Sequence, residues 1–245
     1  MRALHSIVSA GASILRLKQM TLQEQLDKMR RDWDARALEN SRYYVETSRA
    51  DWSDQDFRES GRIECREQIL NDMTNVCQGM DPKQMRVLEI GCGAGRIVSA
   101  LAEIFGEVHG VDVSGEMIRH AHATIRHLPN ARVYQNNGMD LAVLPAGLTF
   151  DFAFSTIVFQ HIPSYEVIEN YVREVHRVLR PGGLFKLQVQ GQSHLDAVSL
   201  DDTWRGVPFT ERQAFAMAER CGFEARHAWG SGDQYFWLWF FKKNG

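Results

Sequence analysis

One short stretch of the chain combines a carboxylate with closely spaced glycines. Glu89 is followed by Gly91, Gly93 and Gly95, with one residue between successive glycines. Glycines at this density let the backbone turn tightly and bring its amide groups close to a ligand. The spacing differs from G-x-G-x-x-G, in which a pyrophosphate lies against a helix N-terminus. A carboxylate before the first glycine suits a ligand with a cationic group better than a diphosphate.

A second carboxylate, Asp112, follows the next hydrophobic run, residues 108–111. At the C-terminal end of a strand, this carboxylate can accept hydrogen bonds from both hydroxyls of a ribose. The two carboxylates and the glycine turn therefore predict a site for the adenosine half of a cofactor that also carries a cationic group.

The elements that must position these residues are a strand before the glycines and a helix after them. Residues 87–90 form a short apolar run that is typical of a strand buried on both faces. From Ile97 the apolar residues recur at helical spacing, and Gly106 closes this helix. Strand, turn and helix thus stand in the order that holds a ligand against exposed backbone and a helix N-terminus.

Beyond this unit, apolar runs of strand length alternate with stretches of helical periodicity. Ser114 and Thr210 are typical N-caps of two predicted helices. The turn at residues 230–233 predicts a hairpin between the last two strands. Further strands are predicted at residues 132–135, 150–155, 184–190, 223–229 and 235–241.

The chain resembles the class I S-adenosylmethionine-dependent methyltransferases, in particular the methyltransferase-domain type that acts on small molecules. The resemblance rests on the glycine turn with Glu89, on Asp112, and on Leu-Arg-Pro-Gly-Gly at 179–183, and it covers roughly residues 86–242. It implies a doubly wound, seven-stranded α/β sheet of strand order 3-2-1-4-5-7-6 with one antiparallel strand. It also implies S-adenosyl-L-methionine as cofactor and S-adenosyl-L-homocysteine as product.

The first 80 residues are expected to form an N-terminal helical arm and lid, and residues 81–245 the Rossmann-like methyltransferase domain. A capping box at Thr21 begins one helix, and a second helix from near residue 53 is predicted to bury a face that includes Ile63 and Leu70. In the family such a segment commonly lies over the bound cofactor and substrate. The aromatic stretch at residues 34–53 is therefore expected to cross the mouth of the site.

The resemblance also implies cofactor contacts after the third strand, where family members often carry Gly-Asp, whose carboxylate receives the adenine amino group. This chain has Asn-Asn-Gly-Met-Asp at 136–140 instead. Asn137 is therefore the expected acceptor, with Gly138 and Met139 as neighbours, and Asp140 is the rival if the register differs. The cofactor-binding residues expected in all are Glu89, Gly91, Cys92, Gly93, Gly95, Arg96, Asp112, Val113, Met117, Asn137, Gly138, Met139, Ser155, Thr156 and Gln160.

The reaction side of the site is expected beyond the fourth strand, since ligands of open parallel sheets bind outside the strands' C-terminal ends. His161 follows that strand and is the first candidate for a catalytic base, because an unperturbed imidazole titrates near neutrality. The alternative is that His161 bonds a nearby carbonyl and shapes the loop. Tyr43 and Tyr44 could contact substrate or could equally pack their segment on the core. The predicted substrate-binding residues are Tyr43, Tyr44, Gln190 and His194.

Composition and charge disfavour other classes of protein. With 245 residues, 44% hydrophobic and 24% charged, the chain fits one α/β domain with a helical addition. A net charge of -3 without a dense Lys/Arg tract disfavours nucleic acid as a partner. Four scattered cysteines predict a reduced, cytoplasmic protein, and no spacing indicates an iron–sulfur cluster, zinc or another metal. Residues 1–19 are too interrupted by charge for a membrane span, and the terminal hairpin could pair in a homodimer.

Three functions compete on this basis. The leading prediction is transfer of a methyl group to an O, N, S or C atom of a small molecule by in-line displacement. A non-catalytic module that binds S-adenosylmethionine or S-adenosylhomocysteine would instead have a blocked acceptor pocket. A nucleotide-dependent oxidoreductase could also use Asp112, but the sequence lacks both G-x-G-x-x-G and a recognisable hydride-transfer set.

Overall fold

The computed structural model describes residues 20–192 and 203–244. The predictions for residues 1–19, for His194 and for most of an expected substrate-facing segment at 196–207 lie outside the described residues. The helices are α1 (Leu22–Val45), α2 (Asp54–Gln68), α3 (Met73–Cys77), α4 (Arg96–Ile104), α5 (Gly115–Ile125), α6 (Tyr165–Val178) and α7 (Glu211–Arg220). The strands are β1 (Arg86–Ile90), β2 (Glu107–Asp112), β3 (Ala131–Gln135), β4 (Phe150–Ser155), β5 (Leu179–Val189), β6 (Phe223–Trp229) and β7 (Phe236–Lys242).

The seven strands form one sheet of order β3-β2-β1-β4-β5-β7-β6. Strands β1 to β5 pair in parallel, whereas β7 is antiparallel to both β5 and β6. This confirms the predicted fold class and strand order. The order reverses between β1 and β4, so the ends of these two strands form the crevice in which an open α/β sheet binds its ligand.

Helices cover both faces of the sheet because its central strands bury alternate side chains on each side. Val87 and Phe152 belong to one hydrophobic cluster, and Leu88 and Ala153 belong to the other. The first cluster includes residues of α4 and α5, and the second includes residues of α6 and α7. Glu89 shares the face of Val87 by strand alternation, so its carboxylate points towards the α4 side.

The N-terminal helix is longer than the periodicity alone suggested. Thr21 forms the predicted capping box, but α1 continues to Val45 through a non-helical residue, Asn40, with φ −163° and ψ 87°. Most of the aromatic stretch at 34–53 is therefore helical. The Asp34 carboxylate of α1 accepts a hydrogen bond from Ser114 Oγ at 2.6 Å, and this bond holds α1 against the N-terminus of α5.

The prediction of one continuous helix after residue 53 is wrong. The chain leaves helix α2 at Gln68, passes through a 3-10 turn at Leu70–Asp72, and only then forms α3. Ile63 and Leu70 are 42% and 43% exposed rather than buried, whereas Ile69 and Val76 of the same predicted face are buried. The buried face of α2 instead includes Gly61, because a Cβ there would lie 2.4 Å from the Arg96 carbonyl oxygen.

Candidate active site

The glycine turn after β1 is tied to the end of β2 by backbone hydrogen bonds. The amides of Gly91 and Cys92 both donate to the carbonyl oxygen of Val111, at 2.7 and 3.0 Å. The next amide, of Gly93, donates to Asp112 Oδ2 at 2.9 Å. The turn and the second carboxylate therefore form one structural unit, although they are separated by about twenty residues of sequence.

Positive φ angles and close neighbours explain the glycines of this turn. Gly91 and Gly93 have φ of +72° and +50°. A Cβ on Gly91 would lie 2.3 Å from Val158 Cγ2, and one on Gly93 would lie 2.7 Å from Val45 Cγ2. Gly95 has a different role, since its Cβ would meet the backbone of α5 at 3.2 Å. Gly91 and Gly93 thus form the wall of a cavity, whereas Gly95 allows two helices to approach each other.

Asp112 is held in place by the backbone on both of its oxygens. Oδ2 accepts from the Gly93 amide, and Oδ1 accepts from the Ser114 amide at 2.9 Å. Burial raises the pKa of this carboxyl to about 6, against the lowering effect of these hydrogen bonds. Each oxygen keeps a further lone pair, so Asp112 can accept two more hydrogen bonds from a ligand.

Glu89 and Arg96 carry polar atoms that the protein itself leaves unpaired. Both residues are only 3% exposed. Among buried side-chain nitrogen and oxygen atoms of the described residues, Glu89 Oε2 and Arg96 Nε have no hydrogen-bond partner. Burial raises the pKa of Glu89 to about 8, although the Arg96 charge opposes that rise. Buried polar atoms are normally paired, so these two indicate a ligand with complementary groups.

A cavity lies over this turn, with about 820 Å³ of space between its wall atoms, part of it open to solvent. Predicted cofactor residues form much of its wall, and so do Tyr44 and His161. Helix α1 contributes two further wall residues that were not predicted, Met29 and Trp33. The predicted cofactor residues that line the cavity are Glu89, Gly91, Cys92, Gly93, Arg96, Asp112, Val113, Met117 and Thr156.

The adenine residues predicted after β3 do not line this cavity. Asn137 is exposed, and its Oδ1 accepts hydrogen bonds from the amides of Met139 and Asp140, both at 2.9 Å. The oxygen predicted to receive the adenine amino group is therefore used within its own turn. Gly138 packs beneath, where a Cβ would lie 2.8 Å from Val113 Cγ2. The adenine contact of Asn137 stays a prediction without support from this geometry, and so does the alternative, Asp140.

Two further predicted cofactor residues have other surroundings. Ser155 is fully buried and donates from Oγ to the carbonyl oxygen of Ile90 at 3.0 Å, which joins the ends of β4 and β1. Gln160 lines a neighbouring cavity instead of the first one. Ser155 is the last residue of β4 and Gln160 follows it, but sequence position did not show which way the side chains face.

The neighbouring cavity has about 940 Å³ of empty space and shares Tyr44, Val45, Ile157 and His161 with the first. Its remaining wall is rich in side-chain amides and also includes Glu46, Arg205 and Tyr235. Gln190 and Gln192 line it, whereas Tyr43 lines neither cavity and packs edge-on against Tyr44 at 5.2 Å. The substrate contact of Gln190 stays a prediction. Gln234, which was not predicted, comes from a loop with no motif to reveal it.

His161 stands at the wall between the two cavities. Its Nδ1 is hydrogen-bonded to the carbonyl oxygen of Trp204, and its ring lies 5.3 Å from that of Trp33. The Arg36 guanidinium lies 4.7 Å from the Trp33 ring and 5.3 Å from the Trp204 ring. Arg36 also donates to Thr203 Oγ1 at 3.3 Å. These contacts join α1 to the segment before Phe209 above the junction of the cavities.

Within residues 20–192 and 203–244, no group of three His, Cys, Asp or Glu side chains is arranged to hold a metal ion. No helix in the same part of the chain is long and apolar enough to span a membrane.

Comparison with known proteins identifies a methyltransferase domain in this chain. Residues 87–183 match the family model described as a methyltransferase domain. Over 113 residues the chain is 29% identical to a demethylmenaquinone methyltransferase of Lysinibacillus sphaericus, covering 45% of this chain and 46% of that protein. Over 152 residues it is 24% identical to the mitochondrial ubiquinone biosynthesis O-methyltransferase of Rattus norvegicus, covering 61% of this chain and 41% of that protein. The chain thus spans less than half the length of these curated relatives.

Solved structures with the same fold cover more of the chain. A magnesium protoporphyrin IX methyltransferase of Synechocystis PCC 6803 superposes with a TM-score of 0.64 at 15% identity, covering 89% of this chain and 97% of that one. A methyltransferase of Aquifex aeolicus superposes with a TM-score of 0.55 at 19% identity, covering 78% and 100%. The matched methyltransferase domain, the sheet order and these shared folds make the chain similar to the class I S-adenosylmethionine-dependent methyltransferases.

Proposed function

We propose that this protein transfers a methyl group from S-adenosylmethionine to a nucleophilic O, N, S or C atom of a small molecule. The observation that carries the proposal is the unpaired, buried Glu89 Oε2 beside the glycine turn, with Arg96 Nε close to the same cavity. A zwitterionic amino acid presents an ammonium group and a carboxylate, which are the complements of these two atoms. The residues present therefore fit the amino acid end of this cofactor.

The remaining cavity wall suits the adenosine end. Asp112 keeps lone pairs for the two ribose hydroxyls, and Val113 and Met117 offer apolar surface on the same side. When bound, the cofactor supplies a methyl group activated by its positively charged sulfur. The task of the protein is then to hold the cofactor and the acceptor in line, an orientation effect that reaches several kcal/mol in favourable cases.

The neighbouring cavity is the proposed acceptor site, and it favours an enzyme over a binding module. A non-catalytic module needs no second chamber, but here Tyr44, Ile157 and His161 separate the cofactor cavity from a second cavity. Four glutamines and Arg205 in that wall suit a polar acceptor. The curated relatives are named for quinone biosynthesis and one structural neighbour for a porphyrin, so small molecules are acceptors among these similar proteins.

Calorimetry with S-adenosylhomocysteine and with NAD tests the cofactor assignment first. We expect saturable binding of S-adenosylhomocysteine and none of NAD, and a protein that binds neither would contradict the proposal. Methyl-labelled S-adenosylmethionine is then incubated with the protein and a small-molecule extract. Labelled small-molecule products support an enzyme, whereas cofactor binding without any transfer favours the binding module. Cytoplasmic location, lack of nucleic-acid partners and a homodimer stay predictions.

A further inference from the structure

A chain of side-chain hydrogen bonds runs through the protein at the wall between the two cavities. The Ile157 amide donates to Gln188 Oε1 at 2.7 Å, and Gln188 Nε2 donates to Gln160 Oε1, also at 2.7 Å. Gln160 Nε2 lies 3.2 Å from His161 Nε2, and His161 Nδ1 is bonded to the Trp204 carbonyl oxygen. The chain thus begins and ends on main-chain groups.

The two main-chain ends impose one direction on every bond between them. A backbone amide can only donate, so Gln188 must turn its oxygen to Ile157 and its NH₂ group to Gln160. Gln160 then turns its oxygen to Gln188 and its NH₂ group to His161, so His161 Nε2 must accept. At the other end a carbonyl oxygen can only accept, so His161 Nδ1 must carry the proton. Both ends independently require the same tautomer.

Burial makes the opposite direction costly. Gln188, Gln160 and His161 are 0%, 4% and 6% exposed. Rotating either amide by half a turn would set two donors or two acceptors against each other in a buried place, where unsatisfied polar groups are costly. Ile157 has a positive φ of +55°, which is rare for a β-branched residue, and Gln188 receives the amide that this conformation presents.

We propose that Gln188 and Gln160 are positioning residues that hold His161 as the neutral Nδ1–H tautomer, in which Nε2 carries the lone pair and is the basic atom. His161 lines both cavities, where the proposed function requires an acceptor to meet the methyl donor. In the ligand-free protein Gln160 Nε2 donates to the lone pair of His161 Nε2, so a hydroxyl or ammonium acceptor must replace this amide before Nε2 can receive its proton. The other tautomer would present an N–H group at the same position. The kinetic consequence rests on the proposed function, but the tautomer does not.

Nitrogen-15 NMR of histidine-labelled protein at pH 7.5 tests the tautomer directly, with the His161 signals assigned by their loss in His161→Ala. In the wild-type protein we expect a protonated Nδ1 and an unprotonated Nε2. In Gln160→Glu the carboxylate can accept from both Gln188 and His161, so both ring nitrogens should become protonated. Gln192→Glu introduces the same charge into the same cavity outside the hydrogen-bond chain and should leave the tautomer unchanged.

A wild-type His161 protonated on Nε2 would overturn the proposal without any variant. A neutral His161 in Gln160→Glu, or the same change in Gln192→Glu, would also contradict it. Once a methyl acceptor is known, Gln160→Glu should lower kcat by about tenfold or more, with S-adenosylhomocysteine affinity unchanged within about twofold. Absence of methyl transfer would count against the proposed function alone, because the NMR result needs no turnover.

Discussion

Replacing Glu89 by Gln removes a buried charge while preserving the shape of the side chain. In the ligand-free protein, burial raises the pKa of Glu89 from 4.5 to about 8. Because one pKa unit corresponds to about 1.4 kcal/mol, ionising Glu89 between pH 5 and pH 8 should lower the free energy of unfolding by roughly 3–4 kcal/mol. The Gln side chain cannot ionise, so the variant avoids this loss.

The direction of the effect follows from the raised pKa. A carboxyl that holds its proton more tightly in the folded state contributes most stability below its unfolded pKa, and that contribution is lost as the pH rises through the folded pKa. The advantage of Glu89→Gln over wild type should therefore grow steadily from pH 5 to pH 8. Urea unfolding of the two ligand-free proteins across this range measures it. Glu219→Gln, an exposed change on α7, is the matched control and should show no such trend.

The affinity of wild type for S-adenosylhomocysteine should increase as the pH rises, whereas its stability decreases. If the cofactor ammonium pairs with Glu89, binding must ionise this carboxyl, and at pH 7 about nine in ten of the free molecules should release a proton. The ratio of S-adenosylhomocysteine dissociation constants, variant over wild type, should then rise about tenfold or more between pH 6 and pH 8. Calorimetry in buffers of different ionisation enthalpy gives both the proton count and the ratio. A pH-independent ratio together with no proton release would refute the assignment of Glu89.

Three further changes test other parts of the site. Asp112→Ala should weaken S-adenosylhomocysteine binding by about 30-fold or more, because two hydrogen bonds to a charged acceptor are lost. Asp51→Ala, an exposed change outside both cavities, should not, and equal effects in calorimetry would make the ribose assignment wrong. Gly91→Ala should lower the unfolding free energy by roughly 1 kcal/mol or more beyond Gly147→Ala. Both glycines have positive φ, but only Gly91 lacks room for a Cβ. Equal urea midpoints of the two variants would contradict the close approach of Gly91 to Val158. His161→Ala should lower turnover and leave S-adenosylhomocysteine affinity nearly intact, and full activity across pH would limit His161 to a structural role.

Local patterns in the sequence were enough to predict the strands and the glycine turn. The strand at Phe150–Ser155 and the strand at Phe223–Trp229 have the predicted bounds, because apolar runs between turn signals are properties of short segments. The same is true of Asp112, which stands at the end of a strand by its position in the chain alone. Strand order came from family resemblance, since periodicity does not show which strands are neighbours.

Packing between distant segments decided how side chains around the turn are used. Asn137 was placed in the right loop, but its oxygen bonds the following amides instead of facing the cavity. Ile63 was predicted on a buried face but is 42% exposed, and the side of α2 that lies close to α4 includes Gly61 instead. A side chain's direction depends on the neighbours that fold against it, and one sequence does not identify those neighbours.

The sequence by itself determined the carboxylates, the glycine turn and the order of the elements, because each depends on residues that are adjacent along the chain. Only the tertiary structure decided that α1 supplies Met29 and Trp33 to the cavity wall and that Gln188 of β5 bonds Gln160 in the turn after β4. These contacts join residues that are far apart in sequence, and their energies depend on burial and hydrogen-bond direction. Those two quantities exist only once the chain has folded.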